Sequence, residues 1–343
     1  MDLHDIKEHL QNHLSDGLVV IVGSGLSCSE GIPGMGDLAN HLINEVPKSI
    51  QDGDEALWVE AADLLDAGED LESVLLKIKL SETLEVVVLD ATHAFVLHHE
   101  KKIVKEVSCN GRILKFSKLL GHLLKPNSGL PVVTTNYDRL IEVAAESAGL
   151  AVNGLSTGKY FGLFNPRESR FSMCRNIRRR GKLAHLEYTD FVTVLKPHGS
   201  VDWFLVNDEP IFSSIISDAR KLMIIPGANK FRGGYDRPFD AHRELANKEI
   251  DKASRYLIIG YGFNDDHLQV HLEQQLNNGK PAVILTHSIT DKTRKYIAEL
   301  ENIWTIVSRN GVSGFKLIIG ENELEFDYIN IWDLEVFVEE VLE

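Results

Sequence analysis

Glycine and serine residues follow an apolar stretch near the start of the chain, in a pattern that can bind phosphate. The residues Leu18 to Val22 are all apolar, and Gly23-Ser24-Gly25-Leu26-Ser27 comes directly after them. A short apolar run rich in β-branched residues predicts a buried strand, and glycine lets the backbone turn sharply close to a ligand. Backbone amides at the end of such a strand bind the pyrophosphate of dinucleotides in α/β proteins. The stretch therefore predicts a nucleotide-binding turn.

Neither of the two standard phosphate-binding sequences is present in this stretch. The dinucleotide fingerprint requires a third glycine at the position of Cys28, and the Gly-Lys-Ser/Thr of nucleoside-triphosphate loops does not follow. The alternative interpretation is therefore a tight turn between a strand and a helix that binds no ligand.

Three further apolar stretches also end in polar or glycine-rich residues. They are residues 131–135, which lead into Asn136-Tyr137-Asp138; residues 191–195, which lead into Lys196-Pro197-His198-Gly199-Ser200; and residues 256–259, which lead into Gly260-Tyr261-Gly262-Phe263. Parallel strands place their carboxyl ends at one edge of a sheet, and ligands of α/β proteins bind at that edge. The four stretches together therefore predict one shared crevice.

The order of apolar stretches and helical patterns along the chain predicts the fold. Uninterrupted apolar strands that alternate with helices indicate a mostly parallel sheet with helices on both faces, and hence one Rossmann-like α/β domain over residues 1–343. Residues from about 48 to 125 show helical periodicity alone and predict a helical insert subdomain. Residues from about 151 to 189 predict an irregular insert, and residues 317–319 predict an edge strand.

A basic stretch, Arg175 to Lys182, stands out in an otherwise acidic chain. Its simplest interpretation is a solvated loop. The alternative is a contact with an acidic partner or a nucleic acid.

Composition limits the class of protein. A chain of 343 residues, of which 43% are hydrophobic, can bury one large core or two modest ones. The formal net charge of -15 argues against direct nucleic-acid binding and against an anionic membrane surface. Cys28, Cys109 and Cys174 form no Cys-X-X-Cys pair, so neither a zinc ribbon nor a disulfide framework is implied. Without a secretory signal or a membrane-spanning apolar run, the chain is expected to be soluble and cytoplasmic.

Taken in chain order, the polar strand ends resemble the motifs of the sirtuin-like proteins, and most closely those of the bacterial branch that acts in antiphage defence. The shared motifs are Gly-Ser-Gly-Leu-Ser with Gly31-Ile32-Pro33, Thr134-Thr135-Asn136-Tyr137-Asp138, His198-Gly199-Ser200-Val201-Asp202-Trp203, and Gly260-Tyr261-Gly262-Phe263 with Asp265 and His267. They extend over residues 19 to about 276, which is most of the chain.

The chain departs from the deacetylase sirtuins at two places. It has Gly34-Met35-Gly36-Asp37 where they carry Asp-Phe-Arg, and it has only Cys174 where they carry a four-cysteine zinc module. The resemblance therefore implies NAD+ as a substrate, no zinc, and hydrolysis of NAD+ in place of protein deacylation. The defence branch is similar to enzymes that deplete cellular NAD+ during infection.

Hydrolysis of NAD+ breaks the nicotinamide–ribose bond while positive charge builds on the sugar, as in glycoside hydrolysis. The resemblance implies that Asn136 orients the attacking water and that His198 is the general base, a role that suits an imidazole near neutral pH. The residues that it implies for NAD+ binding are Gly23, Ser24, Gly25, Ser27, Ile32, Pro33, Thr135, Asp138, Gly199, Ser200, Gly260, Tyr261, Gly262 and Phe263.

Residue type alone leaves other interpretations open. His198 also fits a core histidine with satisfied hydrogen bonds, Asn136 a turn residue, and Asp265 a helix N-cap. Tyr261 and Phe263 also fit core packing. At the level of function, the alternatives are an NAD-dependent ADP-ribosyltransferase or deacylase, and a non-catalytic nucleotide-binding sensor or scaffold.

An unrestrained NAD+ hydrolase would harm its own host, so a gate is expected. We expect a homo-oligomer, and the resemblance implies a HerA-type hexameric ATPase as a candidate partner. The apolar residues of the helical insert and of a terminal helix over residues 331–342 make these the expected contact surfaces.

Overall fold

The computed structural model describes residues 1–158, 160–181, 183–215, 218–227, 237–263 and 266–343. Two residues singled out above, Lys182 and Asp265, lie outside the described residues, as does the side chain of His267.

The centre of the molecule is a nine-stranded sheet. Its strands, in spatial order, are β16 (Asn322–Asp327), β15 (Val312–Ile319), β14 (Ile303–Arg309), β13 (Ala282–Thr286), β12 (Arg255–Ile259), β1 (Leu18–Val22), β2 (Leu130–Thr134), β8 (Phe191–Leu195) and β3 (Ala151–Asn153). The strands from β14 to β3 are parallel to one another, while β15 and β16 pair antiparallel at one edge. The prediction of a Rossmann-like, mostly parallel α/β fold is confirmed.

Helices cover both faces of this sheet. The helices of the described residues are α1 (Leu3–His13), α2 (Ser24–Glu30), α3 (Met35–Glu45), α4 (Glu55–Asp66), α5 (Leu71–Lys77), α6 (Glu82–Asn110), α7 (Lys115–His122), α8 (Leu140–Ser147), α9 (Pro166–Ser172), α10 (Phe239–Lys252), α11 (Asp266–Asn277), α12 (Asp291–Ala298) and α13 (Leu334–Phe337). A 3-10 turn (Val46–Lys48) follows α3, and a π-helical turn (Val338–Leu342) follows α13.

Burial of both faces of the sheet explains why the central strand β1 is apolar throughout. Successive side chains of a strand point to opposite faces. Accordingly, Val20 and Val22 of β1 pack into one hydrophobic cluster, and Val19 and Ile21 pack into the other. Because helices bury both faces, no position of β1 is left for a polar residue.

A smaller antiparallel sheet lies beside the main one. Its strands, in spatial order, are β11 (Arg220–Met223), β9 (Gly199–Val206), β10 (Glu209–Phe212), β5 (Gly162–Phe164) and β4 (Ser156–Thr157). The chain passes directly from β8 of the main sheet into β9, so the turn between them, which contains His198, joins the two sheets.

Residues 55–122 form the four helices α4 to α7, in agreement with their helical periodicity. Trp58, Leu75 and Val88, one each from α4, α5 and α6, are buried in a third hydrophobic cluster. The same cluster contains Val201 of β9 and Ile225, which follows β11. These helices therefore share their core with the smaller sheet.

The expectation of an irregular segment over residues 151–189 is wrong. The segment contains β3, β4, β5, α9 and a hairpin of β6 (Cys174–Arg180) with β7 (Leu183–Tyr188). Three of its strands have only two or three residues, and β3 pairs with β8, where Ala151 lies beside Phe191. Strands this short, with partners this distant in sequence, leave no periodic pattern to detect.

Two smaller expectations are also corrected. The basic stretch is not a loop, because most of it lies in β6, which pairs antiparallel with β7. Residues 317–319 do not form an edge strand, because β15 is longer and pairs with β14 on one side and with β16 on the other.

Candidate functional site

The four polar strand ends belong to four neighbouring strands. In the main sheet, β12, β1, β2 and β8 are consecutive, and all four are parallel. The chain proceeds from β1 through β2 to β8 on one side, whereas β12, β13 and β14 continue on the other side. Ligands of open α/β sheets bind at the carboxyl edge where the strand order reverses in this way, which here lies between β12 and β1.

A cleft of about 220 Å³ opens at this edge of the sheet. Asn136 and His198, the two predicted catalytic residues, both line it. The predicted binding residues that line it are Gly23, Ser24, Ser27, Ile32, Pro33, Thr135, Asp138, Tyr261 and Gly262. Residues from all four strand ends therefore meet in one cleft.

The glycines after β1 bring the turn into close contact with the end of β12. The amide of Gly23 donates to the carbonyl oxygen of Ile259 at 2.9 Å, and the amide of Gly25 donates to that of Gly260 at 3.0 Å. A Cβ atom at Gly23 would lie 2.4 Å from the Gly260 oxygen, and one at Gly25 would lie 2.7 Å from the Gly260 Cα. The glycines let the turn pack against the end of β12, and their two amides are not available to a phosphate.

Helix α2 begins immediately after this turn, at Ser24. The first amides of a helix have no partner within the helix and carry a partial positive charge. Since Ser24 lines the cleft, its amide is the candidate in the predicted phosphate-binding turn for contact with an anion.

Asn136 is fixed by hydrogen bonds from its side-chain nitrogen. The residue is 8% exposed, and Nδ2 donates to the Gly23 carbonyl oxygen at 2.9 Å and to Ser27 Oγ at 2.8 Å. Ser27 Oγ in turn donates to Asp138 Oδ2 at 2.7 Å. A carbonyl oxygen can only accept, so the nitrogen must face Gly23, and Asn136 Oδ1 remains as the acceptor for a ligand or a water molecule.

His198 follows β8, the strand next to β2, and is half-buried. Its carbonyl oxygen accepts a hydrogen bond from the amide of Ile224 at 2.9 Å, which fixes its main chain. A second histidine, His242, lies close by but is fully buried, and its Nδ1 accepts from the amide of Lys196 at 3.1 Å. Because burial lowers the pKa of His242 to about 3, that imidazole stays neutral and supports the turn without exchanging protons near neutral pH.

Five predicted binding residues do not line the cleft: Gly25, Gly199, Ser200, Gly260 and Phe263. Ser200 is 1% exposed, and its hydroxyl donates to the carbonyl oxygen of Tyr137 at 3.1 Å. Phe263 is 1% exposed and packs against Tyr261, with 5.2 Å between the ring centroids. In this structure, Ser200 and Phe263 support the walls of the cleft from the protein interior.

Several cleft residues were not found from the sequence. Asp70 and Glu72 come from the start of α5, Phe95 and Val96 come from α6, and Ile225 and Pro226 follow β11. Asp70 also caps α5 by accepting the amide of Ser73 at 2.9 Å. An acidic first turn and an apolar helix face are common in any helical region, so nothing in these residues pointed to a site.

The cleft is acidic. Its described lining includes the carboxyl groups of Asp70, Glu72 and Asp138 but neither lysine nor arginine. Such a surface favours a positively charged group over an anion.

The described part of the chain contains neither a metal-binding cluster nor a membrane-spanning helix. No cluster of three or more His, Cys, Asp or Glu residues is arranged to hold a metal ion there. Within the same residues, every helix is too short or too polar to cross a bilayer.

Comparison with known proteins gives one family and a set of similar structures. A family model described as a SIR2-like domain matches residues 131–306. A Sir2 homologue in complex with 2'-O-acetyl ADP-ribose is 16% identical, with a TM-score of 0.45, over 100% of this chain and 98% of that chain. A SIR2 homologue in complex with NAD is 18% identical, with a TM-score of 0.36, over 83% of this chain and 84% of that chain. No match was found among curated proteins.

Proposed function

The chain belongs to the SIR2-like family, and we propose that it binds NAD+ at the ends of β12, β1, β2 and β8 and hydrolyses the nicotinamide–ribose bond. The products are nicotinamide and ADP-ribose. The observation that carries this proposal is that Asn136 and His198, which lie 62 residues apart in the sequence, line the same cleft.

The chemistry of the cleft suits the reactive half of NAD+. Nicotinamide in NAD+ is cationic, and positive charge passes to the ribose as the bond breaks. The carboxyl groups of Asp70, Glu72 and Asp138 give the cleft a negative charge, which favours both the cationic nicotinamide half and the positive charge of the transition state.

Two side chains can act on the attacking water. Asn136 Oδ1 is the acceptor left over from the network with Gly23 and Ser27, so it can hold a water proton and orient the oxygen. The His198 imidazole, which also lines the cleft, can take the second proton as general base. Apolar groups of Ile32, Phe95 and Ile225 keep bulk water away from the reacting centre.

The size of the cleft limits how NAD+ binds. About 220 Å³ is below the roughly 300–1,000 Å³ of sites that enclose a whole drug-sized ligand. We therefore propose that the nicotinamide riboside half occupies the cleft, with the pyrophosphate near the amide of Ser24 and the adenosine half along the open rim.

The proposal is tested by incubating the purified protein with NAD+ and separating the products by chromatography. We expect nicotinamide and ADP-ribose from the wild type and a loss of about 100-fold to 10,000-fold in rate for Asn136→Ala and for His198→Ala. The matched controls are Asn12→Ala and His122→Ala, because both side chains are exposed and lie outside the cleft. Both controls should retain wild-type rates.

Full activity in both cleft variants would refute this mechanism. Labelled ADP-ribose on a protein acceptor, with little free ADP-ribose, would instead identify a transferase. Tight NAD+ binding without turnover would identify a non-catalytic module.

On the motif resemblance, we also propose that NAD+ hydrolysis acts in antiphage defence, within a homo-oligomer gated by a HerA-type ATPase. The test compares phage growth and cellular NAD+ in cells that express the wild type or Asn136→Ala, with and without the ATPase. Equal phage growth and equal NAD+ in all four strains would contradict the defence role.

A further inference from the structure

Lys196 is a lysine in the protein interior, two residues before His198. It is 2% exposed. Its ammonium donates to the carbonyl oxygen of Asp138, to Glu142 Oε1 at 3.0 Å and to Ser200 Oγ at 3.1 Å. An ammonium has three protons, so each proton has an acceptor. Removing a charge from water is costly and is offset only by partners such as these. Packing alone therefore does not explain a lysine at this buried position.

One of these acceptors belongs to the segment that carries Asn136. Asp138 is held through its main chain by Lys196, while its carboxylate accepts from Ser27 Oγ at 2.7 Å and from the amide of Leu140 at 3.1 Å. The same Ser27 hydroxyl accepts from Asn136 Nδ2 at 2.8 Å. The position of Asp138 therefore influences the position of the Asn136 carboxamide.

Lys196 itself lies on the segment that carries His198 and connects that segment to other parts of the chain. The amide of Lys196 donates to His242 Nδ1 at 3.1 Å. Ser200, the third acceptor of the ammonium, donates its own proton to the carbonyl oxygen of Tyr137 at 3.1 Å. Lys196 thus connects the turn after β8 to the turn after β2.

We infer that Lys196 is a positioning residue, whose buried ammonium fixes residues 136–138 against the turn that carries His198. The inference rests on the proposed function, because it is that reaction which requires Asn136 and His198 to act on one water molecule. Lys196 is not among the residues that line the cleft, so it acts through its neighbours and does not touch the substrate. Displacement of a catalytic group by about 1 Å lowers rates about 100-fold.

The choice of variants separates positioning from stability. Lys196→Met alone leaves the Glu142 carboxylate without its buried partner, and such variants often fail to fold. The double variant Lys196→Met/Glu142→Gln removes both charges and keeps similar volumes, but still lacks the hydrogen bond to Asp138. Glu142→Gln alone retains an acceptor for Lys196. Lys115→Met breaks a comparable ion pair, 2.6 Å from Lys115 Nζ to Asp333 Oδ2, which lies outside the cleft.

Two measurements are made on each variant: steady-state hydrolysis of NAD+ and amide hydrogen exchange over residues 136–140 and 198–201. We expect the double variant to lose at least tenfold in kcat with less than a threefold change in KM, since positioning acts on the transition state. Exchange in both segments should be at least tenfold faster, while β1 keeps its wild-type protection. Lys115→Met should match the wild type in both measurements, and Glu142→Gln, which keeps an acceptor for Lys196 but not its counter-charge, should lie between the wild type and the double variant.

The following outcomes would contradict the positioning role of Lys196 or the proposed function. A folded double variant with wild-type exchange in both segments would overturn it, whether or not NAD+ is hydrolysed. Faster exchange with kcat within twofold of the wild type would overturn the link to the reaction. If the wild type itself does not hydrolyse NAD+, the proposed function fails, and the exchange data alone then show whether Lys196 fixes the two segments.

Discussion

His13 shows how a single buried side chain makes stability depend on pH. It is 4% exposed, and its Nε2 donates to the carbonyl oxygen of Tyr256 at 2.8 Å. Burial lowers the pKa of this imidazole to about 4, whereas a histidine in an unfolded chain has a pKa near about 6.5. Between these two values the unfolded chain binds more protons than the folded one, so stability falls as the pH falls through this window.

We expect His13→Gln to reduce this acid sensitivity, because glutamine can still donate to the Tyr256 carbonyl but does not titrate. From the two pKa values, His13 contributes a loss of about 2 kcal/mol between pH 7.5 and pH 5. Urea unfolding of both proteins at the two pH values measures the difference. The exposed His122 provides the control His122→Gln, which should keep the wild-type pH dependence. An unchanged pH dependence in His13→Gln would contradict the assignment.

How far single residues could be predicted depended on whether a motif carried them. Asn136 and His198 follow recognisable strand ends, and both line the cleft. Lys196, by contrast, has no signal of its own, since a lysine is usually exposed, and two of its three acceptors, on Asp138 and Glu142, come from another part of the chain. The identity of its partners required the three-dimensional structure.

The turns after β1 and β12 pack closely against each other because the glycines at their contact have no side chain. Gly260 has a φ of +56°, and a Cβ there would lie 2.6 Å from Gly25 Cα, which is a backbone atom that cannot move aside. Gly279 also has a positive φ, +86°, but nothing lies within 4 Å of its Cβ position. Comparing alanine substitutions at the two glycines therefore separates the cost of backbone strain from the cost of steric crowding.

We expect Gly260→Ala to destabilise the protein more than Gly279→Ala does. Both substitutions place alanine in the left-handed region, at a cost of about 1–2 kcal/mol. Only Gly260→Ala adds an overlap between two backbones, which costs about 1–3 kcal/mol more. Urea unfolding of both variants gives the two free energies of unfolding. Equal losses would show that the two turns do not pack as closely as the structure indicates.

The burial and the length of a strand explain whether it could be predicted from the sequence. Strand β1 and residues 256–259 of β12 are hydrophobic throughout because both of their faces are buried, and this pattern identified them. The strands β3, β4 and β5 have only two or three residues, so no period could be read. β3 also pairs with β8, and β5 with β10, both distant in the chain, and short local sequence does not carry that information.

In the whole molecule, the cleft joins parts of the chain that are far apart in sequence. Its lining begins at Gly23, includes the helical region at Asp70 and Phe95, and ends at Gly262. A bound ligand would therefore contact the main sheet, the helices α5 and α6, and the segment after β11 together. The parallel direction of the strands could be predicted from the sequence. The position of α5 beside the strand ends could not, because it depends on tertiary packing.

This arrangement predicts that ADP-ribose, the proposed product, stabilises the whole protein against unfolding. A ligand that binds only the folded state adds about 2.7 kcal/mol to the free energy of unfolding at 100 times its Kd, which corresponds to a rise of a few °C in Tm for a chain of this size. Ser24 is exposed and lines the cleft, whereas Ser29 is exposed on the same helix and does not. Thermal unfolding with increasing ADP-ribose should raise the Tm of the wild type and of Ser29→Trp, but not that of Ser24→Trp. An equal rise in Ser24→Trp would show that ADP-ribose binds outside the cleft.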